Sequence, residues 1–376
     1  MVMIPTTSSD VYSYIGNGWV DFNYKENPYY TPVQSIIDEY GKDEMLSKVA
    51  RCWRSEPVVY GAMWSIVCKI LTSISFGNIT IALFVFKIAF LAVFILCNYL
   101  IYKIFKKKFF VALFALNPFI LFEFLSNVHN DIFLVFFVLL AIYFLKNKKN
   151  IALSVGCIAI ATAIKYLSIL ILPFILIYGL KDEKIKDKII KTILYFIEFI
   201  VLIVFFYFFY IRDFNVLAGI FVQQNKYGRS LFLGLYYLLN GDAKALDLIK
   251  TISLIIFALS YISIVIKLFF AKQANKITFK KLINTYQVFI VIFTFILITN
   301  FNPWYVVWLF PTIFWLKAKN IRLILYLSLG AIYSYAITYA TLIDNETVGL
   351  YYLSIMLLTP LVLEICRKVE KTIKRN

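Results

Sequence analysis

A single aspartate near the start of the chain, Asp10, is the residue best suited to act as a general base. It lies in the polar and aromatic segment Ser9-Asp10-Val11-Tyr12-Ser13-Tyr14, whereas the chain beyond about residue 60 is mostly apolar. A positioned carboxylate can take the proton from a hydroxyl group as that hydroxyl attacks a neighbouring atom. Asp10 could instead serve only as a helix N-cap, a role that aspartate also fills well.

Other candidate residues lie at polar breaks within long apolar stretches. One break is Asn127-Val128-His129-Asn130-Asp131, which contains the one histidine of the chain, and another is Lys165-Tyr166. An ionisable residue in the middle of an apolar stretch indicates a functional site. The alternatives are that His129 and Asp131 only cap backbone groups, and that Lys165 extends its ammonium group to the membrane interface.

Two further groups of residues complete the candidates. Arg229 lies in a polar loop after residue 211, where it could also be a solvated charge. Trp304 and Tyr305 belong to the aromatic corner Asn302-Pro303-Trp304-Tyr305; they fit an interfacial aromatic belt better than sugar stacking. Lys69 and Lys87 also lie in apolar runs, where we expect them to extend toward the interface.

The composition identifies an integral membrane protein. Of the 376 residues 62% are hydrophobic, whereas soluble domains contain roughly 45–50% apolar residues. The net charge of +17 would suggest nucleic-acid binding in a soluble protein, but here the lysines fit cytoplasmic loops. We therefore expect the lipid bilayer, and no nucleic acid, as a partner. The five cysteines show no spacing typical of a disulfide framework or a zinc site.

The apolar runs predict an all-α polytopic protein with about 11 transmembrane or hairpin helices. Two long stretches with polar centres, 109–145 and 151–180, are interpreted as hairpins that enter and leave the membrane on the same side. The remaining candidate spans are 79–102, 189–211, 249–270, 282–300, 303–316, 321–342 and 348–366.

The lysines predict the orientation. Of 38 basic residues, 25 lie in six segments assigned to the cytoplasm, whereas residues 1–60 hold 5 basic and 8 acidic residues. The positive-inside rule places the N-terminal segment outside the cell membrane and the C-terminus in the cytoplasm. We expect two parts: residues 1–60 as an external loop segment with the catalytic aspartate, and residues 61–376 as the multi-helix transmembrane domain. An external N-terminus without a preceding helix suggests that the first helix of the fold is missing.

Several motifs resemble those of one family. They are Ser-Asp-Val-Tyr-Ser-Tyr-Ile from residue 9, Tyr-Gly-x-x-Trp from residue 60, Asn-x-His-Asn-Asp from residue 127, Ala-x-x-x-Lys-Tyr from residue 161 and Asn-Pro-Trp-Tyr-x-x-Trp from residue 302. In this order the motifs resemble the GT-C-type membrane glycosyltransferases, and more narrowly the polyprenol-phosphate-mannose-dependent α-mannosyltransferases. The likeness extends from residue 9 to about residue 311.

The resemblance implies an enzyme that moves a hexose, mannose in the relatives, from a polyprenyl-phosphate donor to an acceptor on the outer face. It implies Asp10 as the base; the family often has paired acids there, whereas Ser9 precedes Asp10 here. A single carboxylate favours direct inversion, and no metal site or other cofactor is expected. Lys165 and Arg229, with His129 assisting, are expected to stabilise the leaving phosphate. Contacts to the sugar or the acceptor are expected from Tyr12, Tyr14, Asn130, Asp131, Trp304 and Tyr305.

Alternatives remain at this point. A transporter or flippase of lipid-linked saccharides would also carry charges and broken helices within the membrane, and a polymer ligase or polymerase is a nearer alternative. The sequence does not identify the sugar, the linkage or the acceptor, which could be a glycolipid or a glycan. Metal dependence and oligomeric state are also open.

Overall fold

The structure is a computed structural model that describes residues 4–5, 7–224, 230–271, 277–340 and 345–373. The contacts divide the chain into two compact units, Met1–Gln223 and Gln224–Asn376. The regular elements of the described residues are helices.

The first unit begins with short helices and continues with long apolar ones. Three of the helical segments described in it are of other types than α: a π-helix at Phe122–Ser126 and 3-10 helices at Tyr166–Ile171 and Phe214–Leu217. The α-helices are α1 (Asp10–Asn23), α2 (Val33–Tyr40), α3 (Glu44–Ser47), α4 (Arg51–Arg54), α5 (Ala62–Ser73), α6 (Ile79–Phe105), α7 (Lys108–Ala115), α8 (Pro118–Leu121), α9 (Asp131–Asn147), α10 (Ile151–Thr162), α11 (Leu172–Gly179), α12 (Ile185–Tyr207) and α13 (Ala218–Gln224).

Helix α1 packs closely against α5, and Gly18 makes the close approach possible. A Cβ atom at Gly18 would lie 2.5 Å from the backbone oxygen of Cys68, so a side chain at this position would push the two helices apart. The contact is reinforced by the Lys69 Nζ atom, which lies 2.7 Å from Asp21 Oδ1. The hydroxyl of Tyr210 donates to the other oxygen of Asp21 at 2.7 Å. The start of the chain is thereby fixed to α5 and to the segment after α12.

Two apolar stretches break where their polar residues lie. Helix α9 begins at Asp131, and α10 ends at Thr162 after a turn at residues 148–150. Because the two helices are joined by a short turn and pack against each other, the start of α9 and the end of α10 lie at the same end of the unit. The breaks at 127–130 and 163–165 therefore meet, as the hairpin interpretation predicted.

The clustered lysines lie at the other end of these helices. Helix α6 carries Lys103 in its last turn, and α9 carries Lys146 in its last turn. Helix α11 runs away from the break near Lys165 and is followed by the lysine-rich segment 181–188. The polar breaks and the basic loops thus occupy opposite ends of the first unit.

The second unit consists of fewer and longer elements. A π-helix at Phe293–Leu297 extends α16, and a 3-10 helix follows at Pro303–Trp315. The α-helices are α14 (Leu231–Leu238), α15 (Ala243–Phe269), α16 (Phe279–Ile292), α17 (Ala318–Ala340) and α18 (Asn345–Ile373).

The prediction of an all-α polytopic protein is confirmed. The predicted number of about 11 transmembrane or hairpin helices is, however, higher than the number of helices that could cross a membrane. Within the described ranges, four helices are long and apolar enough to cross a membrane: Ile79–Phe105, Ile185–Tyr207, Ala243–Phe269 and Phe279–Leu297. A fifth is obtained if two segments joined at a 54° bend, Lys108–Ala115 and Pro118–Ser126, count as one span. The reason is that most remaining apolar stretches are broken into helices shorter than the roughly 20 residues that a span needs.

Candidate functional site

Asp10 is the first residue of α1, and its carboxylate is partly accessible. Its backbone N–H donates to Ser8 Oγ at 3.2 Å, and the Tyr60 hydroxyl donates to Asp10 Oδ2 at 3.4 Å. The side chain retains 16% of its exposure. Asp10 is therefore not the N-cap, which is Ser9, although the positive end of the helix dipole favours a carboxylate in the first turn.

His129 lies between two carboxylates. Its Nδ1 atom is 3.5 Å from Asp10 Oδ2, and its Nε2 atom is 3.3 Å from Glu123 Oε2; the side chains of His129 and Glu123 are fully buried. The arrangement places the imidazole ring so that it orients the Asp10 carboxylate from one side and is itself held by the Glu123 carboxylate on the other.

A distorted backbone holds Glu123 and His129 in this arrangement. Glu123 lies in the π-helix Phe122–Ser126. The backbone N–H of His129 donates to the backbone carbonyl oxygen of Glu123 at 3.0 Å. Val128 has a φ of 63°, a strained value for a β-branched residue. The Asn127 side chain donates to Glu123 Oε2 at 3.3 Å. π-helical turns and strained residues of this kind are found frequently at functional sites.

The end of this π-helix is bound by a lysine from another helix. Lys87, in the first third of α6, is buried. Its ammonium group donates to the carbonyl oxygens of Leu125 and Ser126 at 3.3 and 3.2 Å. The expectation that Lys87 extends to the interface is therefore wrong, because the free carbonyls at the end of the π-helix provide acceptors inside the protein.

Lys165 and Asp131 form an ion pair on the other side of Tyr60. The Lys165 Nζ atom is 2.5 Å from Asp131 Oδ1; the Asp131 side chain is fully buried, and that of Lys165 is 15% exposed. The same ammonium lies 6.0 Å from the centroid of the Tyr60 ring. The backbone N–H of Gly61 donates to the Ile164 carbonyl at 3.2 Å, which brings Tyr60 beside Lys165.

This close approach requires a glycine after Tyr60. A Cβ atom at Gly61 would lie 2.3 Å from the backbone oxygen of Ala163. Any other residue at position 61 would therefore displace the segment that carries Tyr60 from the break that carries Lys165.

The surroundings keep Asp10 ionised. Burial raises the pKa of the Asp10 carboxyl, but the hydrogen bond and charge of His129, and then the charge of Lys165, outweigh burial. The pKa therefore lies below its ordinary value of 3.8. A carboxylate with this pKa is available as a proton acceptor throughout the neutral range.

A cleft opens beside the start of α1, and Asp10 lines it. Among the described residues, apolar contacts come from Val49 and from residues 57–59. The polar and aromatic residues that the structure describes in the lining are Asp10, Ser13, Asn17, Trp53, Glu56 and Tyr60. Asp10 thus connects a surface cleft to the buried His129 and Glu123.

The structure brings several predicted site residues together in the first unit. Asp10, His129, Asp131 and Lys165 are linked as described above. Asn130 is fully buried beside His129, and neither side-chain amide atom of Asn130 has a hydrogen-bond partner among the residues that the structure describes.

The remaining predicted site residues are placed differently. Tyr14 is buried, and its ring packs edge-on against Tyr60 at 5.3 Å between centroids. Tyr12 is half-buried and is not among the residues that line the cleft. Trp304 and Tyr305 lie in the 3-10 helix of the second unit, where the Tyr305 and Trp308 rings stack at 4.1 Å. Arg229 falls outside the described residues.

Sequence reasoning did not select Glu123. A signal was present, because an acid in the apolar stretch Phe119–Leu125 is as unusual as Lys165 in its own stretch. The polar break that follows, residues 127–131, is the more prominent signal in the sequence.

The described residues contain no group of three or more histidine, cysteine, aspartate or glutamate side chains placed to hold a metal ion. Asp10, His129 and Glu123 do not converge on one point, because the imidazole ring lies between the two carboxylates.

Comparison with models of known protein families identifies a match over the N-terminal part of the chain. Residues 1–180 match the model of the MptA_B family, described as α-(1→6)-mannopyranosyltransferase, N-terminal domain. This range contains Asp10, Glu123, His129, Asp131 and Lys165. No curated protein and no solved structure shows significant similarity to the chain.

Proposed function

Since residues 1–180 belong to the α-(1→6)-mannopyranosyltransferase family, a GT-C-type family, we propose that Asp10 is the base of a mannosyl transfer from a polyprenyl-phosphate donor. The predicted family resemblance is confirmed, and the protein is a membrane glycosyltransferase of the mannosyltransferase class. A sugar donor, an acceptor and the bilayer are therefore its partners. The choice of donor, the role of each residue and the stereochemistry belong to the proposal.

The observation that carries the proposal is the position of Asp10. Its carboxylate lines an open cleft. On the side away from the cleft, His129 Nδ1 lies 3.5 Å from Asp10 Oδ2, and Glu123 Oε2 lies 3.3 Å from His129 Nε2. Of these three side chains, Asp10 is the accessible one, and its carboxylate is held in its ionised form. A substrate hydroxyl in the cleft can reach Asp10, whereas His129 and Glu123 act through Asp10.

In the proposed reaction, a hydroxyl oxygen of the acceptor attacks the anomeric carbon of the donor. The new carbon–oxygen bond forms as the bond between that carbon and the phosphate oxygen breaks. The hydroxyl proton passes to Asp10, and the electron pair of the broken bond leaves with the polyprenyl phosphate. With Asp10 as the assigned base and no carboxylate assigned as nucleophile, the proposed reaction is a single displacement with inversion; formation of an α-mannoside then requires a β-linked donor.

Lys165 is proposed to stabilise the leaving phosphate. Its ammonium group is partly exposed and lies near Tyr60, which also contacts Asp10. Such a cation can stabilise charge that develops on the leaving oxygen. Asp131 holds Lys165 in position, and the buried amide of Asn130, which has no hydrogen-bond partner among the described residues, is proposed to bind a sugar hydroxyl.

Three further roles remain predictions. They are the phosphate contact of Arg229, the sugar contacts of Tyr12, Tyr14, Trp304 and Tyr305, and the phosphate-assisting role of His129. For His129, the two carboxylates that face its ring favour a positioning role.

The proposed reaction takes place on the outer face of the cell membrane. Support comes from the lysine-rich segments, which lie at the end of the first unit opposite to Asp10 and which the positive-inside rule assigns to the cytoplasm. The N-terminal segment would then face outward and the C-terminus inward.

The test is transfer of radiolabelled mannose from polyprenyl-phosphate mannose in membranes that contain either the wild type or Asp10→Asn. We expect label in a lipid or glycan acceptor with the wild type and nearly none with the variant. Transfer at the wild-type rate by a folded Asp10→Asn protein would exclude the base role. A folded wild type that uses a nucleotide sugar and no polyprenyl-phosphate sugar would exclude the donor.

A further inference from the structure

The side chain of Asn127 connects the two ends of the array formed by Asp10, His129 and Glu123. We propose that Asn127 is a positioning residue, which holds the segment before α1 against the π-helix and thereby fixes the distance between Asp10 and His129. The inference rests on the proposed function, because it assigns a further residue to the same reaction. Since Asn127 acts through its neighbours, its replacement should change turnover rather than substrate binding.

Asn127 is fixed to the π-helix and to the carboxylate of Glu123. It is the residue directly after the π-helix, and it is fully buried. Its backbone N–H donates to the carbonyl oxygen of Phe122 at 3.0 Å. Its side-chain nitrogen donates to Glu123 Oε2 at 3.3 Å, and the same carboxylate oxygen lies 3.3 Å from His129 Nε2. Asn127 and His129 thus share one oxygen of Glu123.

The same amide binds the segment that leads to Asp10. The side-chain nitrogen of Asn127 donates to the Thr7 hydroxyl at 2.5 Å, and its side-chain oxygen accepts the backbone N–H of Thr7 at 3.5 Å. Ser8 follows, and its Oγ atom accepts the backbone N–H of Asp10 at 3.2 Å. Because Thr7 and Asp10 are close in the chain, a shift of Thr7 would move the Asp10 carboxylate relative to His129.

The chemistry of an amide suits this position. Asparagine offers a donor and an acceptor on one side chain. Here the nitrogen donates to a carboxylate and to a hydroxyl, and the oxygen accepts a backbone N–H. An aspartate of the same size would turn a second carboxylate toward Glu123, and two carboxylates at this distance repel each other or share a proton. The contact with Glu123 is also of the stronger class, because hydrogen bonds to charged groups contribute more than neutral ones.

The ionisation of Asp10 depends on where its carboxylate lies. Among the described residues, those that act on it or lie beside it are His129, Lys165, Ser8, Tyr14 and Tyr60. Burial raises the pKa of the Asp10 carboxyl, and His129 opposes burial most strongly. A displacement of Asp10 from His129 should therefore raise this pKa. If Asn127 only stabilised the fold, its loss would lower stability without changing the pKa of Asp10.

Substitutions at both ends of the contact test this role. Thr7→Val keeps the shape of the side chain but removes the hydroxyl, and it should lower kcat by about threefold to tenfold, the effect of one hydrogen bond. Asn127→Asp should lower kcat by about tenfold to 100-fold, because it also disturbs Glu123. In both variants the KM values should stay the same and the acid limb of the pH–rate profile should move to higher pH. Thr7→Ser, which keeps the hydroxyl, should turn over at the wild-type rate.

Matched controls make the same chemical changes elsewhere. Thr80→Val and Asn147→Asp replace exposed residues, and neither should change kcat or the acid limb. Thermal unfolding of each purified variant checks that it is folded. If Asn127→Asp does not fold, Thr7→Val decides alone, because Thr7 is half-buried and precedes the first helix.

One measurement needs no substrate and separates this inference from the proposed function. His129 is the one histidine of the chain, so isotope-labelled histidine in a protein without a histidine tag gives the NMR signals of a single imidazole ring. We expect the ring nitrogen signals to shift in Thr7→Val and Asn127→Asp and to stay in place in Thr80→Val. This result supports the positioning role even if transfer from a polyprenyl-phosphate donor fails.

Two results would overturn the positioning role. One is a wild-type kcat and an unmoved acid limb in both Thr7→Val and Asn127→Asp while the wild type transfers mannose; the proposed function would then stand, and Asn127 would serve only the fold. The other is a set of His129 signals in both variants that is identical to the wild type, which would show that the contacts of Asn127 do not control the imidazole.

Discussion

Replacing Lys165 by methionine should lower both stability and turnover, and the two effects can be separated. The Lys165 Nζ atom lies 2.5 Å from Asp131 Oδ1; at an effective dielectric constant of about 20, unit charges at this distance attract each other by about 7 kcal/mol. Much of this attraction offsets the cost of removing the charges from water. Methionine leaves Asp131 as a buried carboxylate without its ammonium partner.

The expected loss follows from the burial of the two side chains. Loss of one partner from a buried ion pair costs about 3–5 kcal/mol. Because the Lys165 side chain is 15% exposed, water can screen part of the remaining charge, and we expect a loss near 3 kcal/mol. Thermal unfolding of the purified protein in detergent measures this loss. Turnover should fall by about 100-fold to 1,000-fold if Lys165 also stabilises the leaving phosphate.

The double variant Lys165→Met/Asp131→Asn separates the two roles. It removes both charges, so most of the lost stability should return. Turnover should remain low, because the ammonium that faces the phosphate is still absent; Asp131→Asn alone reports the contribution of Asp131 itself. A double variant that recovers full turnover would refute the phosphate role of Lys165. A Lys165→Met protein as stable as the wild type would refute the reasoning about the buried pair.

Four other changes should have distinct effects. Asp10→Asn should reduce transfer by about 100-fold to 10,000-fold, the usual contribution of a general base, measured as initial rates at unchanged thermal stability. His129→Gln should move the acid limb of the pH–rate profile from below pH 3.8 to higher pH, because burial would then act on the pKa of Asp10 without the opposing charge of the imidazole. Glu123→Gln should retain the fold and lower kcat with little change in KM, since Glu123 is fully buried and its contact toward Asp10 runs through His129. Gly18→Leu should destabilise the protein by about 1–3 kcal/mol in thermal unfolding, because its Cβ would lie 2.5 Å from the Cys68 carbonyl oxygen.

Matched controls make these outcomes decisive. Asp38→Asn replaces an exposed acid and should leave transfer unchanged; an equal loss in both aspartate variants would point to a general charge effect. Gly156→Ala places a Cβ in ordinary contact, 3.7 Å from Leu202 Cδ1, and should be tolerated. An acid limb that does not move in His129→Gln would mean that His129 does not control the ionisation of Asp10. A change in KM alone in Glu123→Gln would contradict its positioning role.

The lowered pKa of Asp10 predicts how the stability of the protein changes as the pH falls. The folded-state pKa of Asp10 is lowered, so its stabilising contribution is present above the unfolded-state pKa and is lost as the pH falls through the folded-state pKa. The change of stability with pH that Asp10 causes is therefore confined to about pH 3.8 and below, and activity losses near neutral pH must have another cause.

Apolar runs and polar breaks predicted much of the architecture correctly. The segments around 79–102 and 249–270 form long apolar helices, because about 20 consecutive apolar residues suffice to specify a span. Polar breaks were predicted at residues 127–131 and 165–166, close to the breaks at 127–130 and 163–165 in the structure, since a change from apolar to polar residues is local information. The number of spans was overestimated, because hydropathy alone does not reveal that a stretch such as 109–126 bends by 54° between its two parts.

By itself the sequence determined the membrane class, the positions of the polar breaks and the choice of Asp10, His129 and Lys165 as chemically capable residues. These properties follow from composition and from contacts between near neighbours in the chain. Only the tertiary structure decided that Asp10, His129 and Glu123 form one array and that Lys165 is paired with Asp131 across Tyr60. Asp10 and His129 are more than one hundred positions apart, so the distance between their side chains depends on how α1, α5 and the π-helix pack, which no local pattern of residues encodes.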